Sequence, residues 1–500
     1  MKKDLVVLFY PRTEPQNIYR NLPLAILKIA SQSAASGYRV KFIDARFTLD
    51  YRYEIKDSLK EALCLGVSCM TGYQISDAIK ASKMAKEFNK DIPVIWGGWH
   101  PSLLPEETII NEFIDILVRG QGENTLMEVL KVLEEGGSLE GIRGVSFKSP
   151  NNRIIHNQAR PFEDINNFSP TNFDILDINR YVSQTPLGKR TVFWNTSQGC
   201  PYHCAFCCTH TLYARRWMSL KVETILNEID TLVKRFSIDG ILFTEDNFFT
   251  DKKRVEDICG GLIRRNLKIR WSTDARIDQI IRYEDNFLSL LKKSGCMKLY
   301  LGAESGDQEV LDFIDKDIKV EYTYQAAQKL AQNGIIAEFF LMLGFPLNPQ
   351  RDLRLTMEMI KEIKIKFPNH QATPFLYTPY PGTRLFDFAL KKGLISPRRL
   401  EDWIPWSSLR PTVPWVDKKY LGYVNRLIKF YLPFAYPSAS LEALMKNKLS
   451  GYFYRLFHKI AKFRVERNFF SFALDWYLAE FFYYSIKLRF NLFKGMAVPR

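Results

Sequence analysis

Apolar runs alternate with helical patterns along the first 135 residues of the chain. The apolar runs begin near residues 4, 39, 64, 93 and 115, and amphipathic or helical stretches separate them. Strands that are apolar throughout and are joined by helices are typical of a parallel, doubly wound sheet, because helices cover both of its faces. The pattern therefore predicts an α/β domain over residues 1–140, with a ligand site at the carboxyl ends of its strands.

The predicted strand ends of this domain carry glycines and polar side chains. Glycine lets a bulky, hydrogen-bonding ligand approach the backbone closely. Ordinary strand-to-helix turns have a similar composition, so the fold alone leaves both interpretations open. The candidate ligand-binding residues are Ser68, Thr71, Gly72, Gly97, Gly98, Trp99, Gly120, Gln121, Gly122 and Glu123.

The same alternation returns in the second half of the chain after a polar stretch. Residues 141–190 contain a predicted hairpin that turns at Asn151 and Asn152, then a segment with little periodicity, and they are interpreted as a connector. Over residues 191–405, about six further apolar runs separated by helical patterns predict a partial or full (β/α) barrel with its active site at the carboxyl ends of the strands. Residues 406–500 are predicted to be helical.

Length and composition favour a folded protein of two or three domains, with 500 residues, 46% of them apolar and 25% charged. The N-terminal apolar run breaks at Pro11, and no window offers the roughly 18 uninterrupted apolar residues of a spanning helix, so neither a signal peptide nor a membrane span is predicted. We therefore expect a cytoplasmic, reducing location, in which structural disulfides are rare.

Four of the eight cysteines lie within the stretch GCPYHCAFCC at 199–208. Cys200, Cys204 and Cys207 suit a four-iron, four-sulfur ([4Fe–4S]) cluster in which one iron has no protein ligand. Zinc is the weaker alternative, because no second CxxC or His pair supplies the separated ligand pairs of a structural zinc site. Cys208 is predicted to pack. The other cysteines are predicted to be buried packing residues: Cys64, Cys69, Cys259 and Cys296.

The CxxxCxxC sequence after a predicted strand resembles the signature of radical S-adenosylmethionine (SAM) enzymes. The surrounding TSQGCPYHCAFCCTHTLYARRWM is similar to members with an N-terminal cobalamin-binding domain. Further stretches that resemble family hallmarks are FTEDNFF (243–249), STDARID (272–278), GAESGDQEVLDFIDK (302–316), LGFP (343–346) and TPYPGTRLFDFALKKGLI (378–395). The resemblance covers residues 3 to about 405 and implies a Rossmann-like cobalamin domain, a radical SAM barrel, and a [4Fe–4S] cluster, SAM and cobalamin as cofactors.

The resemblance also implies roles for individual residues. Cys200, Cys204 and Cys207 would ligate iron, and the unique iron would chelate the amino and carboxylate groups of SAM. Four further roles are implied: Phe206 would border the adenine, Glu245 or Asp246 would receive the amino group, Arg276 would bind the methionine carboxylate, and Glu304 would hold the ribose hydroxyls.

Family members most commonly methylate an unactivated carbon or phosphorus. The resemblance thus implies methyl transfer to an unactivated carbon through a 5′-deoxyadenosyl radical and methylcobalamin, with an external electron donor of the flavodoxin or ferredoxin type. Radical cyclisation, oxidation or rearrangement without methyl transfer remains the alternative. A methylthiotransferase is disfavoured, because its N-terminal domain needs three cysteines and this one offers only Cys64 and Cys69.

One departure from related cobalamin domains concerns the loop YPRTEPQNIYRNLP after the first strand. It contains no histidine, so it lacks the Asp-x-His-x-x-Gly motif that places a histidine below cobalt. His100 lies on a different turn and is not expected to take that position. Water or no ligand is expected below cobalt, with Tyr10, Arg12 or Trp99 near that face.

The basic charge of the chain is concentrated near its C-terminus. The net charge is +15, and residues 418–500 hold fifteen Lys or Arg against four acidic residues, which gives +11. Stretches such as SGYFYRLFHKIAKFRVERNFF favour amphipathic helices. Three interpretations remain open: helices that cover the barrel, peripheral contact with an anionic membrane surface, or RNA binding, with nucleic acid the least favoured. The membrane interpretation would suit a lipid-like substrate, as for the hopanoid methylases of the same family.

Overall fold

The computed structural model describes residues 3–14, 20–48, 50–407, 413–437, 441–442, 445–446, 451–469 and 473–480. None of the helices formed by these residues combines the length and the apolar composition of a membrane span. Part of the loop after the first strand, residues 15–19, lies outside the described residues, as do Lys448 and the basic residues beyond 480 that contribute to the C-terminal charge.

The N-terminal domain is a seven-stranded sheet with the strand order β2-β1-β3-β4-β5-β6-β7. The first five strands are parallel, which confirms the predicted doubly wound sheet. The strands are β1 (Leu5–Tyr10), β2 (Arg39–Asp44), β3 (Ala62–Ser68), β4 (Val94–Gly97), β5 (Ile116–Val118), β6 (Val145–Lys148) and β7 (Ile154–His156). The helices are α1 (Leu24–Ala35), α2 (Tyr51–Ser58), α3 (Gln74–Phe88), α4 (Trp99–Leu103), α5 (Pro105–Ile109) and α6 (Glu123–Glu135).

Helices cover both faces of this sheet, and a separate apolar core lies on each face. This arrangement explains why the central strands are apolar at every position, since neither face meets water. The predicted hairpin is present as β6 and β7, but β6 pairs with β5 in antiparallel fashion. The hairpin predicted within the connector thus extends the first sheet to residue 156.

The connector consists mainly of irregular chain with two short 3₁₀ turns, Ile165–Asn167 and Ile178–Tyr181. The side chains of Asp164 and Asp177 accept hydrogen bonds at the start of these turns, which fixes the chain without regular structure. At its end, the Tyr181 hydroxyl donates to Asp44 Oδ2 of the first sheet at 2.9 Å. The connector therefore packs against the N-terminal domain.

The second domain contains a seven-stranded sheet with the order β16-β15-β14-β13-β12-β9-β8, in which six strands are parallel and β8 is antiparallel. The strands of the domain are β8 (Ser183–Thr185), β9 (Gly188–Trp194), β10 (Ser197–Gly199), β11 (Trp217–Ser219), β12 (Gly240–Phe243), β13 (Arg270–Ala275), β14 (Cys296–Glu304), β15 (Ile336–Leu343) and β16 (Gln371–Leu376). Strands β10 and β11 form a separate two-stranded antiparallel sheet. The edge strands β8 and β16 do not pair with each other within the described chain, so the predicted barrel is partial.

The helices of this domain alternate with its strands. They are α7 (Thr209–Tyr213), α8 (Val222–Phe236), α9 (Lys252–Arg264), α10 (Ile277–Arg282), α11 (Asp285–Lys293), α12 (Gln308–Phe313), α13 (Val320–Gln332), α14 (Pro349–Lys366) and α15 (Arg384–Lys391). Side chains at their starts satisfy free backbone N–H groups; Asp251, for example, accepts from Arg254 N and Asn348 from Arg351 N.

The described C-terminal helices pack on the barrel. After a 3₁₀ turn at Leu400–Trp403 they are α16 (Lys418–Arg426), a π-helical turn (Leu427–Tyr431), α17 (Leu432–Ala435) and α18 (Gly451–Glu466). Val424, Leu427, Phe430 and Phe457 are buried in the same core as the barrel strands. The interpretation that these helices cover the barrel is therefore correct for their apolar face.

Candidate active site at the carboxyl ends of both sheets

The cysteine loop lies at the mouth of the partial barrel, between β10 and α7. Gly199 begins it with φ +81°, and a Cβ there would lie 2.2 Å from the carbonyl oxygen of Arg216, so only glycine fits. Ala205 N donates to Ile314 O at 2.8 Å, and its carbonyl accepts from Leu385 N at 3.1 Å. The loop is thereby fixed on both sides by the barrel backbone.

The three predicted cluster ligands differ in exposure. Cys204 is buried, whereas Cys200 and Cys207 are half-buried. Burial raises the pKa of both Cys200 and Cys207, and coordination to a metal would instead favour their thiolates. No three His, Cys, Asp or Glu side chains of the described residues surround a single metal position. A [4Fe–4S] cluster does not require such convergence, because each cysteine binds a different iron.

The remaining five cysteines are not predicted ligands of the cluster. Cys208 precedes α7, and burial raises the pKa of its thiol to about 12, which fits packing. The prediction that Cys64, Cys69, Cys259 and Cys296 are buried is confirmed.

A cavity of about 440 Å³ opens beside the cysteine loop. All five residues predicted to contact SAM line it: Phe206, Glu245, Asp246, Arg276 and Glu304. They come from the cysteine loop and from the ends of β12, β13 and β14, since parallel strands end at one edge of the sheet. Their individual roles remain predictions.

The two adjacent acids after β12 have different partners. Glu245 accepts hydrogen bonds from the backbone N–H of Thr196 at 2.6 Å, from its hydroxyl at 2.5 Å, and from the hydroxyl of Ser197. Asp246 accepts from Gly199 N at 2.8 Å and from the Thr209 hydroxyl at 3.1 Å, and desolvation by the surrounding protein raises its pKa. Both carboxylates therefore accept hydrogen bonds on both oxygens, but the Glu245 side chain is fully buried whereas Asp246 remains exposed.

Arg276 is held against the cysteine loop. It donates to Asp278 Oδ1 at 2.9 Å and to the carbonyl of Lys316 at 2.6 Å, and its Nη1 lies 3.5 Å from Cys204 Sγ. Its guanidinium also lies 3.6 Å from the centre of the Tyr202 ring. Arg276 thus contributes to the positioning of the loop in addition to any contact with a ligand.

Glu304 forms a buried ion pair with Lys316, in which Lys316 Nζ lies 2.6 Å from Glu304 Oε1. Burial by itself would lower the pKa of Lys316, but the Glu304 carboxylate outweighs this effect and raises it. Lys316 was not predicted from the sequence, although it ends the hallmark stretch at 302–316. Asp274 in STDARID was not predicted either; its pKa is raised to about 7 by burial and by the charges of Asp246 and Glu245.

The cavity contains polar groups that a ligand can satisfy. The hydroxyls of Tyr377 and Thr378 are buried and have no hydrogen-bond partner in the described part of the chain. Buried polar atoms are usually paired, so these two mark positions where a polar ligand would bind. Together with the acids, Arg276 and Lys316, they suit a charged, polar molecule such as SAM.

The turns after β3 and β4 in the first sheet meet one another through the backbone. Gly98 has φ +102°, and a Cβ there would lie 2.7 Å from the carbonyl oxygen of Cys69. Cys69 N donates to Gly97 O at 2.8 Å, and Thr71 Oγ1 lies 3.0 Å from His100 Nδ1. The predicted residues Ser68, Thr71, Gly72, Gly97, Gly98 and Trp99 are adjacent at this edge. Gly98 is required here for a close backbone approach.

The turn after β5 completes the same edge. Gly120 N donates to Ser102 Oγ at 3.0 Å. Gln121 Oε1 accepts from Glu163 N at 2.8 Å, and Gln121 Nε2 donates to Glu163 O at 3.1 Å. Gly122 precedes α6, and burial raises the pKa of Glu123 in its first turn. Gln121 therefore attaches the connector to this edge.

His100, Arg12 and Tyr10 each contact another side chain of the protein. His100 is fully buried against Trp403, with ring centres 5.8 Å apart, and burial lowers its pKa to about 4. Arg12 pairs with Asp77 at 2.6 Å. Arg46 lies 4.6 Å above the Tyr10 ring. Which group, if any, lies below cobalt remains a prediction.

Sequence comparison assigns each domain to a family. Residues 194–360 match the radical SAM superfamily, and residues 18–130 match the B12-binding domain. The chain is a cobalamin-dependent radical SAM enzyme. The expected cofactors of such an enzyme are a [4Fe–4S] cluster, SAM and cobalamin, and the cavity and cysteine loop fit the first two.

Two curated relatives of this radical SAM enzyme illustrate the range of the family. An uncharacterized methyltransferase of Pyrococcus horikoshii is 29% identical over 70% of this chain and 73% of its own length. The anaerobic magnesium-protoporphyrin IX monomethyl ester cyclase of Rubrivivax gelatinosus is 27% identical over 73% of this chain, which spans 65% of the cyclase. Among solved structures, the radical SAM enzyme OxsB with aqua-cobalamin bound has a TM-score of 0.74 at 18% identity, covering 92% of this chain and 72% of OxsB, and it shares the fold.

In this radical SAM enzyme, elements that follow the two strand-end edges are in contact. A Cβ on Gly382, in the loop after β16, would lie 2.7 Å from Leu103 of α4 and 3.4 Å from Thr211 of α7. The Thr211 hydroxyl also donates to the carbonyl of Gly382. Helix α4, which follows the Gly97–Gly98 turn, therefore packs near the helix that follows the cysteine loop.

Proposed function

We propose that this enzyme transfers a methyl group to an unactivated carbon of a small-molecule substrate. The observation that carries the proposal is the packing of α4 near α7, because it directs the candidate cobalamin edge and the cysteine loop toward one space. The Pyrococcus horikoshii relative is named a methyltransferase, which supports the same activity. The bound cofactors supply the radical and the methyl group, and the protein aligns them and excludes water.

The residues around the cavity have separate tasks in this proposal. Cys200, Cys204 and Cys207 hold the cluster, and Phe206 borders the adenine. Asp246 rather than Glu245 receives the SAM amino group, because the Glu245 side chain is fully buried whereas Asp246 is exposed at the cavity. The remaining assignments are Arg276 for the carboxylate, Glu304 for the ribose, and the strand-end turns of the first sheet for cobalamin.

Cyclisation or oxidation without methyl transfer is the alternative activity. The relative from Rubrivivax gelatinosus is named a cyclase and is almost as similar as the methyltransferase. Both activities would use the same cysteine loop and the same strand-end edges. The products distinguish them.

The test is anaerobic reconstitution with iron, sulfide, cobalamin, SAM and a chemical reductant, since a radical SAM enzyme needs an electron donor. Formation of 5′-deoxyadenosine supports the radical step, and S-adenosylhomocysteine supports methyl transfer. We expect both products. The first product alone would favour cyclisation, and the absence of both would contradict the proposal. Reduction by a flavodoxin or ferredoxin then tests the expected donor class.

The exposed face of α18 supports peripheral membrane contact and a lipid-like substrate. Tyr452 is 64% exposed, and Leu456, Lys459 and Phe463 follow it on the same face at helical spacing. Apolar side chains interleaved with basic ones are typical of helices that lie on anionic membranes. This face is distinct from the buried one, which contains Phe457 and packs on the barrel.

Co-sedimentation of the full chain with phosphatidylglycerol-containing vesicles tests the membrane proposal. Substitution of Arg455, Lys459 and Lys462 by Glu is expected to abolish binding, because it reverses the charge of this face. The matched control substitutes Glu for the exposed Lys56, Lys80 and Lys131 and should still bind. Full-length protein that stays in the supernatant would contradict the proposal, and retention of a single-stranded RNA under the same conditions would favour nucleic-acid binding.

A further inference from the structure

The concave face of the partial barrel contains side chains at alternate positions of β14, β15 and β16. On β15, Glu338, Phe340 and Met342 are half-buried, whereas the residues between them are fully buried. On β14, Tyr300 and Gly302 likewise lie on this face below Glu304. Each two-residue step advances the chain by about 6.6 Å, so these side chains form layers beneath the strand ends.

The lowest layer is a closed polar network. Lys298 Nζ lies 2.7 Å from Glu338 Oε2 and 2.7 Å from Gln371 Oε1. The Thr373 hydroxyl donates to Glu338 Oε1 at 2.6 Å. These groups satisfy each other across three strands, so the network forms a floor and needs no ligand to complete it.

The next layer toward the strand ends is aromatic. The Tyr300 and Phe340 rings are stacked, with centres 5.5 Å apart and planes inclined by 17°. The edge of Phe375 meets Phe340 with centres 5.6 Å apart, and Phe375 is 41% exposed. All three line the same cavity as Arg276 and Glu304. We call Tyr300, Phe340 and Phe375 the aromatic wall.

The aromatic wall carries none of the charged groups that match SAM. The charged groups that match SAM lie at the strand ends, and the Tyr300 backbone lies two inward steps, about 13 Å along the strand, from that of Glu304. Phe340 pairs with Gly302, beside which the Glu304 carboxylate lies, so the wall begins next to the SAM site and extends inward from it. An exposed apolar surface within a cavity is costly in water and is typical of a ligand-binding position. Aromatic rings pack well against another flat apolar group, in offset-stacked or edge-on arrangements.

We infer that the aromatic wall is the substrate-binding surface and that the substrate presents a flat, apolar ring system to it. The inference rests on the proposed function, because it places the substrate beside the SAM site. The ring system can belong to a conjugated tetrapyrrole or to a saturated polycyclic terpenoid, since both present flat apolar faces.

The test measures binding of two probes to the reconstituted full chain: protoporphyrin IX for the conjugated class and diploptene for the saturated class. We expect at least one to bind. Phe340→Ser and Phe375→Ser should each weaken that binding about tenfold, as expected for the loss of an aromatic contact. Phe88→Ser, at an exposed phenylalanine of α3, is the matched control and should leave binding unchanged. SAM affinity, measured by equilibrium dialysis, should stay the same in all variants.

Phe340→Leu is the control for a folding defect, because it keeps an apolar side chain and removes the ring. It should lose less probe affinity than Phe340→Ser. The inference is overturned if neither probe binds, if the wall variants bind as tightly as the original chain, or if they lose SAM affinity to the same extent. Formation of 5′-deoxyadenosine without added substrate is followed in parallel. It tests the proposed function separately, so the two failures are distinguishable.

Discussion

The two strand-end edges of this enzyme present candidate sites of different construction. At the edge of the first sheet, the turn residues meet through the backbone, as where Gly98 lies against Cys69. At the mouth of the barrel, buried charged side chains such as Glu304 and Lys316 face a cavity. Backbone shape suits a large cofactor that is recognised over a broad surface, and buried charges suit a small charged one. Substitutions at the first edge should therefore impair cobalamin binding, and substitutions at the barrel mouth should impair the cluster or SAM binding.

The largest expected effect comes from the cysteine loop. Cys204→Ala should abolish bound iron, 5′-deoxyadenosine and S-adenosylhomocysteine, because a buried ligand of the cluster is lost, while cobalamin binding at the other edge persists. Iron analysis and visible spectroscopy measure the cluster, and cobalamin is followed by its own absorbance. Cys208→Ala is the matched control and should retain iron. A Cys204→Ala protein that keeps its brown colour and activity would contradict the iron assignment.

The next largest effect is expected at the buried ion pair. Lys316→Met leaves Glu304 buried without its partner, which typically costs about 3–5 kcal/mol, and it should also weaken SAM binding. The double variant Glu304→Gln/Lys316→Met should recover part of the stability. Lys298→Met breaks the other ion pair of β14, with Glu338, and should leave SAM affinity unchanged. Chemical unfolding and equilibrium dialysis measure both quantities, and equal SAM affinity in the two single variants would contradict a role for the Glu304 pair.

The sequence was sufficient for the element order of both domains, because apolar strands and amphipathic helices leave period-specific patterns. It also located the cysteine loop and five of the residues that line the cavity beside it, since these occupy strand ends within recognisable stretches. Lys316 and Asp274 escaped because their significance depends on burial and on charges brought together from other strands. The pairing of β6 with β5 was missed for a similar reason, since hydrophobic patterns give strands but not their neighbours in a sheet.

A smaller effect, confined to the first sheet, is expected for Gly98→Ala. The substitution forces an alanine into φ +102° and against the carbonyl of Cys69, so it should distort the turn and weaken cobalamin binding about tenfold. Gly136→Ala is the control, because Gly136 also has a positive φ, +75°, but a Cβ there meets nothing within 4 Å. Cobalamin titration of both variants checks the prediction, with iron content expected to be normal. Equal losses of cobalamin affinity in the two variants would contradict the prediction, because they would show that backbone strain, and not the close approach of Gly98 to Cys69, weakens binding.

The smallest effect is a change in the pH dependence of stability at the barrel mouth. The pKa of Asp274 is about 7 in the folded chain and near 3.8 when exposed, so the folded state holds a proton that the unfolded state has released. Stability should therefore fall as pH rises from about 4 to 7, because ionisation of the buried carboxyl is penalised. Asp274→Asn removes this penalty and should raise the melting temperature at pH 8 by roughly 3 °C, with little difference at pH 4. The exposed Asp57→Asn variant should show no such gain, since its carboxyl is fully solvated and paired with Lys60. Melting curves recorded without SAM from pH 4 to 8 give the comparison, and a lower melting temperature for Asp274→Asn at pH 8 would show that the Asp274 carboxylate is stabilised in place by groups at the mouth.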